Sequence, residues 1–121
     1  MHTIIFYVTK NGESPVLDYM RGLAKESSKD SRIKLNKIRE YVKALEINGT
    51  YLPESYCKHL DEEIWELRPA SNRVLFAGWK DGAFVLLHTF AKKTQKTPAR
   101  EIKKAKRELA DFAERWNENE L

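Results

Sequence analysis

The stretch RVLFAGWKDGAFVLLHTF, residues 73–90, holds two apolar runs joined at Asp81-Gly82, and the way those runs pair decides the fold. Both central residues of a type I′ turn need positive φ, which glycine adopts freely and aspartate tolerates, so Asp-Gly between such runs signals a hairpin. A two-residue loop here pairs Lys80 with Ala83. Counting outward sets Trp79 opposite Phe84, Leu75 opposite His88 and Arg73 opposite Phe90. Opposite residues share a face of the sheet. One face then reads Val74 and Phe76 with Val85 and Leu87, the expected core. The other carries Arg73, Leu75 and Trp79 with Leu86, His88 and Phe90.

Working outward, Tyr56 to Leu60, Ile64 to Arg68, Arg73 to Trp79 and Phe84 to Phe90 read as one antiparallel meander. A four-residue turn at Pro69 to Asn72 adds Trp65 and Leu67 to the core face and Glu66 and Arg68 to the opposite one. Thr3 to Val8, rich in β-branched and aromatic residues, is a further strand. Ser14-Pro15 is a cap followed by proline, with Val16, Leu17, Met20 and Leu23 at helical spacing to about Ser27-Ser28. Ser31 to Ile47 repeats the pattern with Ile33, Leu35, Ile38, Tyr41, Val42 and Leu45. Thr97-Pro98 opens a last helix that runs to about Asn117, with Ile102, Ala105, Leu109, Phe112 and Trp116 on one side. The expected class is α+β: an antiparallel sheet of four to five strands packed on two N-terminal helices, with a C-terminal helix, in one domain over residues 1–121.

The 121 residues suffice for one hydrophobic core. The single cysteine, Cys57, has no disulfide partner and no zinc-ligand spacing around it, which fits a reducing cytoplasm. No apolar run is long enough for a membrane span or a signal core. Net charge is +4, unevenly spread. Lys92 to Arg107 holds eight cations (Lys92, Lys93, Lys96, Arg100, Lys103, Lys104, Lys106, Arg107) against one acid, Glu101, for +7, while the other residues sum to −3. Such a block is a footprint for a phosphate backbone, although a solvated helix face accounts for part of it.

Singly, a strand arginine is usually solvated, a lone histidine structural, and Glu66 with Arg68 a surface ion pair. Together Glu66, Arg68, Arg73 and His88 put a carboxylate, two guanidiniums and an imidazole on one sheet face, beside the basic block. That set suits RNA cleavage by the neighbouring 2′-hydroxyl, which needs a base for that hydroxyl, an acid for the 5′-oxygen and cations on the phosphorane. No metal or cofactor is expected: Asp61, Glu62 and Glu63 are consecutive and point in different directions. Lys92, Lys93 and Lys96 lead into the last helix, where phosphate is favoured. Trp79, Phe84 and Phe90 are candidates for stacking bases, with packing beneath the helices an equal alternative for Trp79 and Phe84.

Lys58-His59-Leu60, Ile64-Trp65-Glu66-Leu67-Arg68, Arg73-Val74-Leu75-Phe76 and Leu87-His88-Thr89-Phe90-Ala91-Lys92-Lys93-Thr94, with Thr97-Pro98 opening a helix, together resemble the phage-derived HigB-like branch of the RelE/ParE toxin superfamily. The resemblance implies a toxin of a type II toxin–antitoxin system that cuts mRNA on the ribosome without a metal. It also implies a cognate antitoxin, HigA-like with a helix-turn-helix, through which a heterotetramer can form. By the same resemblance Arg68 and Arg73 hold the phosphate and Glu66 and His88 are the proton-transfer candidates. Lys58, His59, Lys92 and Lys93 would bind RNA or ribosomal RNA, with Lys96 and Phe90 beside them. Two rivals stand: a ParE-like gyrase-binding toxin without nuclease activity, and a phage regulator whose basic block binds nucleic acid without catalysis.

Overall fold

The computed structural model describes residues 1–116 and is built as expected for an α+β chain. The expected end of the last helix, near Asn117, lies outside the described residues. A short strand β1 (Ile4–Phe6) leads to helices α1 (Pro15–Lys25) and α2 (Lys29–Asn48). The strands β2 (Cys57–Asp61), β3 (Ile64–Leu67), β4 (Asn72–Gly78) and β5 (Phe84–Ala91) follow, then helix α3 (Ala99–Arg115). The sheet order is β1-β5-β4-β3-β2. β2 to β5 form the antiparallel meander, and β1 lies parallel to β5, so the five-stranded sheet is mixed.

Local chemistry sets the element ends. Pro15 occupies the first turn of α1, and the Ser14 hydroxyl donates to the Tyr7 carbonyl, tying the helix start to the strand before it. Ser28 caps α2, its hydroxyl oxygen accepting from the Ser31 amide at 3.1 Å. Gly49 closes α2 at φ 60° and ψ −148°, a conformation that only glycine adopts easily. A Cβ there would sit 2.8 Å from Nε2 of His2. The His2 ring is held in turn by a 2.7 Å hydrogen bond to the Gly82 carbonyl and by Phe84. Gly49→Ala is therefore expected to cost about 1–3 kcal/mol, read as a lower midpoint in urea unfolding.

Asp81 and Gly82 both take positive φ, 58° and 74°, as the turn chemistry predicts. The strands leave that turn out of the expected register. Trp79 donates to the Ala83 carbonyl, so Gly78 rather than Trp79 pairs with Phe84, and a bulge at Leu87 restores Leu75 opposite His88 and Arg73 opposite Phe90. Between turn and bulge the faces are exchanged relative to the simple count. Phe84 and Leu86, not Val85 and Leu87, join Val74, Phe76 and Leu67 against Val16 of α1 and Leu45 of α2.

Val85 and Leu87 lie on the opposite face with Leu75, Ala77 and Ile64, and there Ala105 and Leu109 of α3 cover them. The sheet is thus sandwiched between two helical layers, and the face that carries Glu66, Arg73 and His88 is largely covered by α3. Residues of β4 from Asn72 to Ala77 are all buried. Towards its C-terminal end α3 is fastened to β1 and the residues just after it. The Tyr7 hydroxyl donates to Asp111 at 2.6 Å, and Arg115 bridges Asp111 and the Val8 carbonyl. Burial, then the Asp111 carboxylate, raises the Tyr7 hydroxyl to about 12, while Arg115 and Tyr7 hold Asp111 down at about 2.

Candidate active site

β3, β4 and β5 bring Glu66, Leu75 and His88 into one row across the sheet, with Arg68 and Arg73 on the same face towards its far end. The tight Pro69 to Asn72 turn, with Ala70 at φ 55°, places the two arginines side by side. Glu66 is buried, and its Oε2 lies 3.5 Å from Nε of Arg68 and 3.9 Å from Nε of Arg73. One carboxylate therefore holds two guanidiniums near one point. Arg73 also donates to the carbonyls of Ala70 and Asn72, at 3.0 and 2.8 Å, which locks its fork. Burial draws the Arg73 guanidinium down, and Glu66 opposes that.

His88 does not join this group. It lies under α3 at 2% exposure, its Nδ1 2.5 Å from Glu108 and its Nε2 3.0 Å from Glu101. Both ring nitrogens are taken by carboxylates of α3, so the imidazole fastens the helix to the sheet and reaches the surface only through Glu101. The loop from Lys92 to Pro98 then crosses the outer end of the site. Pro98 rather than Thr97 stands at the cap position of α3, and the Thr97 hydroxyl donates to Oε1 of Glu66. The loop is thereby pinned across the arginine-bearing carboxylate.

The pinned loop separates two clefts. The larger, about 310 Å³, is lined by Arg73, Phe90, the residues from Ala91 to Pro98, Arg100 and Glu101. The smaller, about 150 Å³, is lined by Lys58, His59, Leu60, Glu66, Gln95, Lys96, Thr97 and Ile102. Lys92, Lys93, Lys96 and Arg100 are exposed, and Arg73 forms part of the larger cleft's wall, a cationic setting for a phosphate chain. Lys58 and His59 are exposed on the second cleft; Lys58 lies 3.6 Å from Glu54, and His59 packs edge-on against Trp65. Of the aromatic candidates Phe90 lines the larger of these two clefts, and Trp79 borders a separate pocket beside α3 with Ile64, Lys106 and Leu109. Trp79 packs on Phe112 and Trp116, and Phe84 is buried against Phe76.

Glu101 and Glu108 went unnoticed in the sequence as partners of His88. They stand seven residues apart, two helical turns, so both lie on the α3 side that carries Ala105 and Leu109. Acids flanking an apolar stripe are the available signal. Cys57 is a buried core thiol, pushed up to about 11 by burial and so unreactive. Among the described residues no group of His, Cys, Asp and Glu is arranged to hold a metal, and no helix is long and apolar enough to cross a membrane.

The sequence from residue 18 to residue 110 matches the family model described as Phage derived protein Gp49-like (DUF891). No curated protein matches the chain closely enough to count. The matched span runs from α1 into α3 and includes the paired arginines, the buried histidine and the basic loop. The chain belongs to the Gp49-like phage-derived family, a toxin-like family of the RelE/HigB type.

Proposed function

We propose that this protein is the toxin of a type II toxin–antitoxin system, a metal-independent endoribonuclease that cuts mRNA on the ribosome. The observation that carries the proposal is the cleft in which Arg73, held by Glu66 and two carbonyls, meets four exposed cations, Lys92, Lys93, Lys96 and Arg100. Arg73 and Arg68 stabilise the charge that builds on the phosphorane, and their fixed forks need no reorganisation when it appears. The loop lysines neutralise the flanking phosphates, and Phe90 offers an aromatic surface for a base. Lys58 extends the cationic path to the second cleft, which His59 also lines. In this reading Glu66 keeps the arginines in place, and His88 acts through α3.

Attack by the 2′-hydroxyl leaves a 2′,3′-cyclic phosphate on one product and a 5′-hydroxyl on the other. The test is to induce the protein without its antitoxin and map mRNA ends on a reporter with and without a functional start codon. Expected are cuts within the translated frame only, with 5′-hydroxyl ends that ligate after kinase treatment. Intact mRNA during growth arrest, or cuts that leave 5′-phosphates, would refute the nuclease. The cognate antitoxin proposed here is a HigA-like helix-turn-helix protein, and co-purification from the native operon checks it.

A further inference from the structure

We propose that Glu101 is the general base for the 2′-hydroxyl, held in position by a Glu108–His88 pair behind it. The inference rests on the cleavage reading above and names a residue that reading leaves unassigned. Glu66 has Oε1 occupied by Thr97 and Oε2 facing two arginines, with its side chain 3% exposed. A carboxylate engaged on both oxygens, and absent from the wall of the larger cleft, is placed to hold the arginines rather than to meet a substrate hydroxyl there. Among the described residues that line the larger cleft, Glu101 is the one carboxylate, and its side chain is 18% exposed.

Behind Glu101 the arrangement is a chain of three groups. Glu108 Oε1 meets His88 Nδ1 at 2.5 Å, and His88 Nε2 meets Glu101 Oε1 at 3.0 Å. Two hydrogens are shared among these three groups, and the ring is fixed with Nε2 towards Glu101. An N–H held against Oε1 orients the carboxylate and leaves Oε2 turned to the cleft, where Arg100 stands at 3.9 Å. Burial of His88 at 2% exposure keeps water from competing for that contact. A carboxylate positioned from behind by a histidine, itself positioned by a second carboxylate, has the support that proton-transfer groups require.

The 2′-hydroxyl proton passes to Oε2 of Glu101 as O2′ bonds to phosphorus. The P–O5′ bond breaks with its electron pair on O5′, which takes a proton from an ammonium group of the loop lysines. Arg73 from β4, Lys92, Lys93 and Lys96 from the loop and Arg100 from α3 line the same cleft as Glu101, with the His88 ring of β5 at its back and Glu108 of α3 beyond that ring.

The test measures single-turnover cleavage of ribosome-bound mRNA across pH by the full chain. Glu101→Gln keeps the shape and the acceptor for His88 but cannot take a proton. The rate is expected to fall roughly 10²- to 10⁴-fold with KM little changed, and the acidic limb of the pH profile is expected to disappear. Glu101→Asp, which retains a carboxylate, should keep that limb at a reduced rate, and it stands in if the glutamine variant fails to fold. Glu108→Gln should move the midpoint of the limb without removing it. Wild-type rate in Glu101→Gln, or an acidic limb that survives it, would overturn the assignment while leaving the nuclease intact. A wild-type protein that cuts nothing overturns both.

Discussion

Arg73→Ala is expected to lower mRNA cleavage roughly 10²- to 10³-fold and to release growth arrest, because it removes a fixed cation from the point where phosphorane charge develops. Stability should change less. Arg73 donates to the Ala70 and Asn72 carbonyls and faces Glu66, so truncation leaves these acceptors short of partners at a cost of about 1–3 kcal/mol. Arg73→Lys separates the two effects. A lysine preserves the charge but cannot reach two carbonyls and a carboxylate with one planar fork, so the fold should recover further than the rate. The measurement is the single-turnover rate beside the urea midpoint of each variant. An alanine variant that folds and cuts at the wild-type rate would remove Arg73 from the chemistry.

His88→Ala is expected to act mainly on the fold. The substitution leaves Glu101 and Glu108 without the donor that both face, and two carboxylates then meet beside an apolar sheet surface. Removing one partner from a buried ionic group costs about 3–5 kcal/mol, against a total stability of about 5–15 kcal/mol for a domain of ordinary size. The effect should localise: α3 loses protection from amide exchange before the meander does, since α1 and α2 pack on the other face. His88→Gln, with one donor, should fall between. A wild-type urea midpoint in His88→Ala would contradict the clamp. Relief of growth arrest by His88→Ala is accordingly no evidence that the imidazole itself moves a proton.

Much of this was legible beforehand, and the misreadings have physical causes. The Asp81-Gly82 turn was readable because positive φ at both residues leaves few other conformations open. The pairings of Arg73 with Phe90 and Leu75 with His88 followed from it and hold. What failed lies between: the offset at Trp79 and the bulge at Leu87 cancel, so the far register survives while Val85 and Leu87 change faces. A bulge adds one residue to one strand and leaves no mark in a chain as uniformly apolar as Phe84 to Leu87. The same uniformity concealed the second helical layer. A strand covered on both sides lacks the alternation that a half-exposed strand shows, and β4 is covered on both. Glu66, Arg68 and Arg73 were found because they share a face of adjacent strands. Glu101 and Glu108 were not, because contact between a helix and a strand depends on docking that periodicity does not specify.

The parallel pairing of Ile4 with Phe84 joins residues eighty positions apart. Closing so long a loop comes late in folding, because chain entropy opposes it until much of the rest is in place. While the chain is being made, β1 must wait for β5, and α1 and α2 wait with their apolar sides for the meander that covers them. The cleft also uses β4, β5 and the loop after them. A nascent copy therefore has no assembled cleft until everything from β1 to the start of α3 has emerged from the ribosome that makes it.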